Sequence, residues 1–129
     1  MTRKPDEMPT ESELEILRVL WSRGPLTVRE VHDVLSRSRR LGYTGTLKLM
    51  QNMAEKKLAA RDESQRSHVY QAVLREAPTQ RKLVKELLNT AFSGSADKLI
   101  MQALSVKKIT DEELAEIRRM LDELEDHRQ

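Results

Sequence analysis

The chain has 129 residues and a formal net charge of +2, which suits one domain or two small ones. Hydrophobic residues make up 38% and aromatics 3%, so any core is aliphatic and Met-filled, and 34% charged residues favour exposed helices over one large core. The absence of cysteine excludes disulfides, thiolate metal sites and cysteine nucleophiles together, and with neither an apolar run near the ~18 residues of a membrane span nor a signal-peptide core after Met1, a cytoplasmic protein with no membrane partner is expected.

The charge is unevenly spread. Residues 1–75 carry 14 Lys/Arg against 10 Asp/Glu, whereas 76–129 carry 9 against 11. Within 37–75 the count is 9 against 3. An excess confined to one third of the chain is the electrostatic footprint of a nucleic-acid binder rather than scattered solubilising charge.

Taken in order, Thr10-Glu-Ser-Glu13 is a capping box that opens a helix carrying Leu14, Ile16, Leu17, Val19 and Leu20. That helix stops at Arg23-Gly24-Pro25, with Trp21 as a core anchor under its end. Thr27-Val-Arg-Glu30 is a second capping box, for a short helix with Val28, Val31, Val34 and Leu35 inward. His32 falls on its polar side and, without a second ligand at metal spacing, reads as surface. Ser36-Arg-Ser-Arg-Arg40 is a basic connector in which Arg39 and Arg40 are candidates for phosphate contact.

Turn chemistry at Leu41-Gly42-Tyr43 precedes a third helix, expected over Tyr43–Leu58. Thr46, Met50, Met53 and Lys57 share its inner face, with Leu47 and Leu49 alongside. The outer face shows Thr44, Gly45, Lys48, Gln51, Asn52 and Glu55. Lys suits guanine, Gln and Asn suit adenine, and Thr suits several bases, so Thr44, Lys48, Gln51 and Asn52 are candidates for base contacts. Taken alone, such a face is the ordinary solvated side of a surface helix. The two helices before it and the basic hairpin after it set it apart. Gly45 joins the candidates because glycine costs a helix ~1 kcal/mol against Ala unless it lets backbone approach the DNA; Lys56 joins as a phosphate contact.

Leu58–Asp62 and His68–Leu74 read as two strands around the polar tip Glu63–Ser67, where Arg66 would meet phosphate without specifying sequence. Three helices and a hairpin make a winged helix, whose third helix enters the major groove. Beyond it, Pro78-Thr79 opens a helix with Leu83, Val84, Leu87 and Leu88 inward; Ser95 caps another with Leu99, Ile100 and Leu104. Thr110-Asp-Glu-Glu113 is a third capping box, followed by Leu114, Ile117, Leu121 and Leu124 at 3-4-3 spacing.

Some 50 residues with so few large side chains bury little surface alone. They form either a small bundle packed on the winged domain or an intertwined homodimer, and the marginal core favours the homodimer. Its interface would use Leu83, Leu87, Leu99, Leu104, Leu114, Ile117, Leu121 and Leu124. The expected fold is therefore mainly α with a small β-hairpin: a winged helix-turn-helix over 9–75 and a three-helix dimerisation domain over 76–126.

Glu13-Leu-Glu-Ile-Leu-Arg-Val-Leu-Trp21, Thr27-Val-Arg-Glu-Val31, Gly42-Tyr-Thr44 and Val69-Tyr70, in that order, resemble the penicillinase-repressor family (BlaI/MecI type). The likeness continues into Phe92-Ser-Gly-Ser95 and the last helix, covering about 9–126. It implies a homodimeric winged-helix repressor of palindromic operators, relieved by a membrane sensor protease or, in the copper-responsive branch, by metal. Where the family's recognition helix usually reads Tyr-Thr-Thr-Val-x-Thr-x-Leu-x-Arg-Leu, this chain keeps Tyr43 and Thr44 but has Gly45, Thr46, Lys48 and Asn52 at the other marked positions. It also lacks the Cys cluster of the copper branch and the Asn-Phe pair cut in the β-lactam circuit.

Enzyme chemistry finds no support in the pattern. His32, His68 and His127 are scattered, no Gly-rich phosphate loop or Ser-His-Asp arrangement exists, and Asp122, Glu123, Glu125 and Asp126 read as a solvated C-terminal face. No catalytic residue, metal or cofactor is expected. The expected function is sequence-specific binding of double-stranded DNA by a repressor homodimer, with repression resting on the resemblance. The alternative is a winged-helix module that reads a partner protein; the basic excess over 37–75 and the polar recognition face favour DNA.

Overall fold

The computed structural model describes residues 8–38 and 41–128. Its elements run α1 (Glu11–Arg23), β1 (Leu26–Thr27), α2 (Val28–Leu35), α3 (Tyr43–Glu55), β2 (Ala59–Asp62), β3 (Val69–Ala72), α4 (Glu76–Ala91), α5 (Ala96–Val106) and α6 (Asp111–Arg128). The three strands form one antiparallel sheet in the order β1-β3-β2. The architecture is mainly α with a small sheet, a winged helix followed by further helices, as the pattern predicts. The chain divides into two compact units, one reaching to Leu83 and one starting at Val84.

In the first unit, local chemistry sets the helix starts. Thr10 Oγ1 accepts from the Glu13 amide at 3.2 Å while Glu13 Oε1 accepts from the Thr10 amide at 2.8 Å. Thr27 and Glu30 repeat the exchange at 3.2 and 2.9 Å. Each box satisfies donors that the first helical turn would leave open. The helices then bury Ile16, Leu17 and Leu20 of α1, Val28, Val31 and Leu35 of α2, and Met50 and Met53 of α3 against Leu58, Ala59 and Tyr70. Burial of each large member contributes about 1.5–3 kcal/mol, so this cluster holds α3 in place. Trp21, half-buried, donates its indole N–H to the Leu74 carbonyl at 2.8 Å and ties the end of α1 to the chain beyond the sheet.

Several features depart from the pattern, beginning with α4, which starts at Glu76 rather than at Pro78-Thr79. β1 pairs Leu26 with Tyr70 and Thr27 with Val69 and makes the hairpin a three-stranded sheet. Two residues carry no periodicity, so nothing local announces this strand. α3 stops at Glu55 rather than continuing to Leu58. Lys57 takes φ 65° and the Leu58 amide bonds back to the Met53 carbonyl at 2.9 Å, a left-handed helix end formed without glycine. Lys57 is thereby exposed instead of inward, and Leu58 enters the core. Finally, His32 is half-buried between α2 and α3, not on open surface.

Glu13 is the unexpected core residue, 2% exposed. Its second carboxylate oxygen accepts from Lys56 Nζ at 2.9 Å, joining the start of α1 to the end of α3. Burial pushes this carboxyl up, but the Thr10 amide and the Lys56 ammonium outweigh it and hold it below the ordinary glutamate range.

The second unit is built differently. Neither α5 nor α6 contains a buried residue. Among the described residues, ten of the twelve exposed large hydrophobic side chains lie from Val84 onward, so this unit has almost no core within a single chain. Its helix starts are nonetheless well made. Ser95 accepts from the Lys98 amide at 3.4 Å, and Thr110 and Glu113 exchange a third capping box at 3.1 and 3.2 Å.

Because the folded Glu13 carboxyl titrates below its unfolded value, its stabilisation is complete above the unfolded value and is lost as pH falls through the folded one. Glu13→Gln is therefore expected to destabilise the protein by ~1–3 kcal/mol at neutral pH, with the difference shrinking below about pH 4. Denaturant unfolding of both proteins from pH 7 to 3 checks this. A gap independent of pH would show that the charge on Glu13 is immaterial.

Candidate nucleic-acid interface

Burial of Thr46, Met50 and Met53 fixes the rotation of α3 about its axis. At about 100° per residue, that rotation turns Thr44, Lys48, Gln51 and Asn52 outward, and all four are exposed. The four candidates for base contact thus share one open face. The first turn adds to it: Gly42 supplies no side-chain cap, so among the described residues the leading amides of α3, unlike those of α1 and α2, have no side-chain cap.

Arg66 sits at the exposed wing tip between β2 and β3. A shallow groove brings it together with Gln51 of α3, so wing and helix present one continuous surface. Among the described residues neither Lys48 nor Arg66 has a carboxylate at ion-pair distance, whereas Arg61, on β2, is taken by Glu63 at 2.6 Å. Lys56, half-buried, pairs with Glu13 at 2.9 Å. Arg39 and Arg40 lie outside the described residues. The apolar candidates all fall on the C-terminal helices: Leu83, Leu99 and Ile117 half-buried, Leu87, Leu104, Leu114, Leu121 and Leu124 exposed.

One cluster escaped the sequence reading. Arg29 of α2 lies over the ring of Tyr43, the first residue of α3, with its guanidinium carbon 4.2 Å from the centroid. His32 meets the same ring edge-on at 5.9 Å and 89°. His32 Nδ1 is also 3.4 Å from Thr46 Oγ1, which donates to the Gly42 carbonyl at 3.2 Å. These contacts fix Tyr43 at the entrance of the recognition helix. Capping-box spacing locates α2 and α3 separately but says nothing of their mutual register, so only the three-dimensional structure reveals the stack.

A helix-turn-helix with an open polar face matches the resemblance read from the sequence, and comparison with known proteins decides it: the family model for the penicillinase repressor matches residues 9–123. The chain belongs to the penicillinase-repressor family. It is 34% identical over 115 residues to the transcriptional regulator BlaI of Mycobacterium tuberculosis, in strains CDC 1551 and H37Rv alike, across 88% of this chain and 82% of the relative. Membership makes it a transcriptional regulator of the repressor type.

Within this penicillinase-repressor fold, the glycine of α3 has a close neighbour in Leu41. A Cβ at Gly45 would lie 2.9 Å from Leu41 Cδ1 and 3.4 Å from its Cγ. Gly45 is half-buried beneath that side chain, which seats the incoming turn on the helix.

Gly45→Ala is expected to gain less than the ~1 kcal/mol of helix propensity in the wild-type background and the full amount once Leu41→Ala has cleared the space. A double-mutant cycle by denaturant unfolding should then show coupling of about 0.5–1 kcal/mol, whereas additive effects would dissociate Gly45 from Leu41.

Proposed function

We propose that this penicillinase-repressor family member acts as a homodimer that binds palindromic double-stranded DNA and represses transcription there. The observation that carries the reading is the outer face of α3, with Lys48, Gln51, Asn52 and Thr44 exposed together and, among the described residues, no carboxylate on Lys48. An α-helix fits the major groove, and these side chains match base-edge donors and acceptors there. Arg66, on the wing, would hold phosphate and set register, and Arg39 and Arg40 belong to the same proposed phosphate set. Lys56, although paired with Glu13, and Gly45 remain in the proposed contact set.

Dimerisation is supported by the second unit. An apolar stripe of Leu114, Ile117, Leu121 and Leu124 on a helix with no buried residue needs another surface, and a second copy supplies one of matching character. Leu87, Leu99 and Leu104 of the same unit, and Leu83 at the end of the first, belong to the proposed interface. Two recognition helices ~34 Å apart would then read a two-fold symmetric site.

Selection of genomic fragments by the full chain, followed by sequencing and titration, tests the reading. Enrichment of a palindromic site supports it; a dimer that enriches no DNA points instead to a protein partner. On an enriched site, Lys48→Ala is expected to lose ~1–3 kcal/mol per half-site while binding to random DNA falls less. Equal loss on both would make Lys48 a phosphate contact. Leu121, 52% exposed in the single chain, is expected to tolerate Asp in the monomer but not in a dimer seam, where the charge would be unpaired. Sedimentation should show Leu121→Asp as a monomer, and a variant sedimenting as wild type would remove Leu121 from the interface.

A further inference from the structure

We infer that Arg29 of α2 is a further contact to the DNA backbone, taking a phosphate in the groove between α3 and the wing. This rests on the DNA-binding reading and extends it to a helix outside the recognition helix and wing. The groove is lined by Arg29 from α2, by Tyr43 and Gln51 from α3, and by Arg66, Ser67 and His68 from the wing. Its volume of about 220 Å³ has room for a phosphate and its sugar. No Asp or Glu is among the described residues that line it, so two arginines face the space with no anion to answer them.

The setting of Arg29 fits that role. Among the described residues it has no carboxylate partner, and its helix neighbour Glu30 is committed to the Thr27 amide. Stacking at 4.2 Å on Tyr43 holds the planar guanidinium by its face and leaves its edge N–H groups free. That edge is the fork that suits phosphate geometry. Holding the side chain in advance also removes part of the ordering entropy that a free arginine loses on binding. In helix-turn-helix docking the helix preceding the recognition helix crosses the DNA backbone, which is where α2 carries Arg29.

The experiment titrates the full chain, Arg29→Gln, Arg29→Ala and Arg29→Lys with an enriched genomic fragment and with random DNA across ~50–200 mM salt. Each phosphate contact contributes ~0.9 to the slope of log K against log salt, so a homodimer lacking both copies should lose about 1.8. At ~0.1 M salt that is a loss on the order of 50-fold on both DNAs, with their ratio unchanged. Arg29→Lys, which keeps the charge, should retain the slope. Gln keeps a planar group over Tyr43, so Arg29→Gln and Arg29→Ala check each other, with thermal melts showing that each is folded. Wild-type binding with an unchanged slope in either folded charge-removing variant overturns the inference alone. A loss confined to the enriched fragment overturns it too, making Arg29 a base reader. A wild-type chain that binds neither DNA overturns the DNA-binding reading itself.

Discussion

The carboxylate of Glu13 serves two ends of the winged unit at once. One oxygen closes the capping box that starts α1, and the other holds Lys56 just past the end of α3. A carboxylate 2% exposed is tolerable only because both oxygens are answered, one by a backbone amide and one by an ammonium. The pair therefore imposes a distance constraint between elements 43 residues apart in the chain. With Met50 and Met53 packed on α1 and α2, it determines where the C-terminal end of α3 sits. The opposite end is set by Tyr43, in contact with Arg29 and His32 of α2. A helix fixed at both ends and along its inner face presents its outer side chains in one orientation, which specific recognition requires.

The two units solve the problem of burial in opposite ways. The winged unit closes a core of aliphatic side chains, methionines and Tyr70 within one chain. The C-terminal helices have sound caps and apolar stripes, yet bury almost nothing by themselves. Local signals suffice to start a helix, but helices of 11 and 18 residues gain most of their stability from packing an apolar face. For a repressor-family protein this division is useful. In the proposed homodimer, stability of the second unit and the pairing of two recognition helices would be the same event, so DNA affinity would depend on protein concentration twice.

Much of this was legible in the sequence because it is encoded at short range. The three Thr-x-x-Glu boxes mark their helices at a fixed offset, and the spacing of Thr46, Met50 and Met53 gives the rotation of α3. Glu13 itself falls in register with Ile16, Leu17 and Leu20, so an inward position could have been read from the same periodicity. What was not legible depends on pairing across the chain. β1 exists because Leu26 and Thr27 find Tyr70 and Val69. The end of α3 is set by Lys57 entering a left-handed conformation that glycine would have announced. The pairing of Lys56 with Glu13 and the closeness of Leu41 to Gly45 likewise depend on the fold. Arg29 was passed over for the same reason: a charged residue inside a capping box looks like solvent-facing surface until Tyr43 is placed beneath it.

The central claim is that two copies of α3, joined through the C-terminal helices, read one symmetric site. Hydroxyl-radical footprinting of a selected fragment, with the binding stoichiometry measured on the same complex, tests it most directly. Two protected segments related by a two-fold axis and centred about one helical turn or a multiple of it apart, with two chains per site, are predicted. A single protected segment bound by one chain would contradict it.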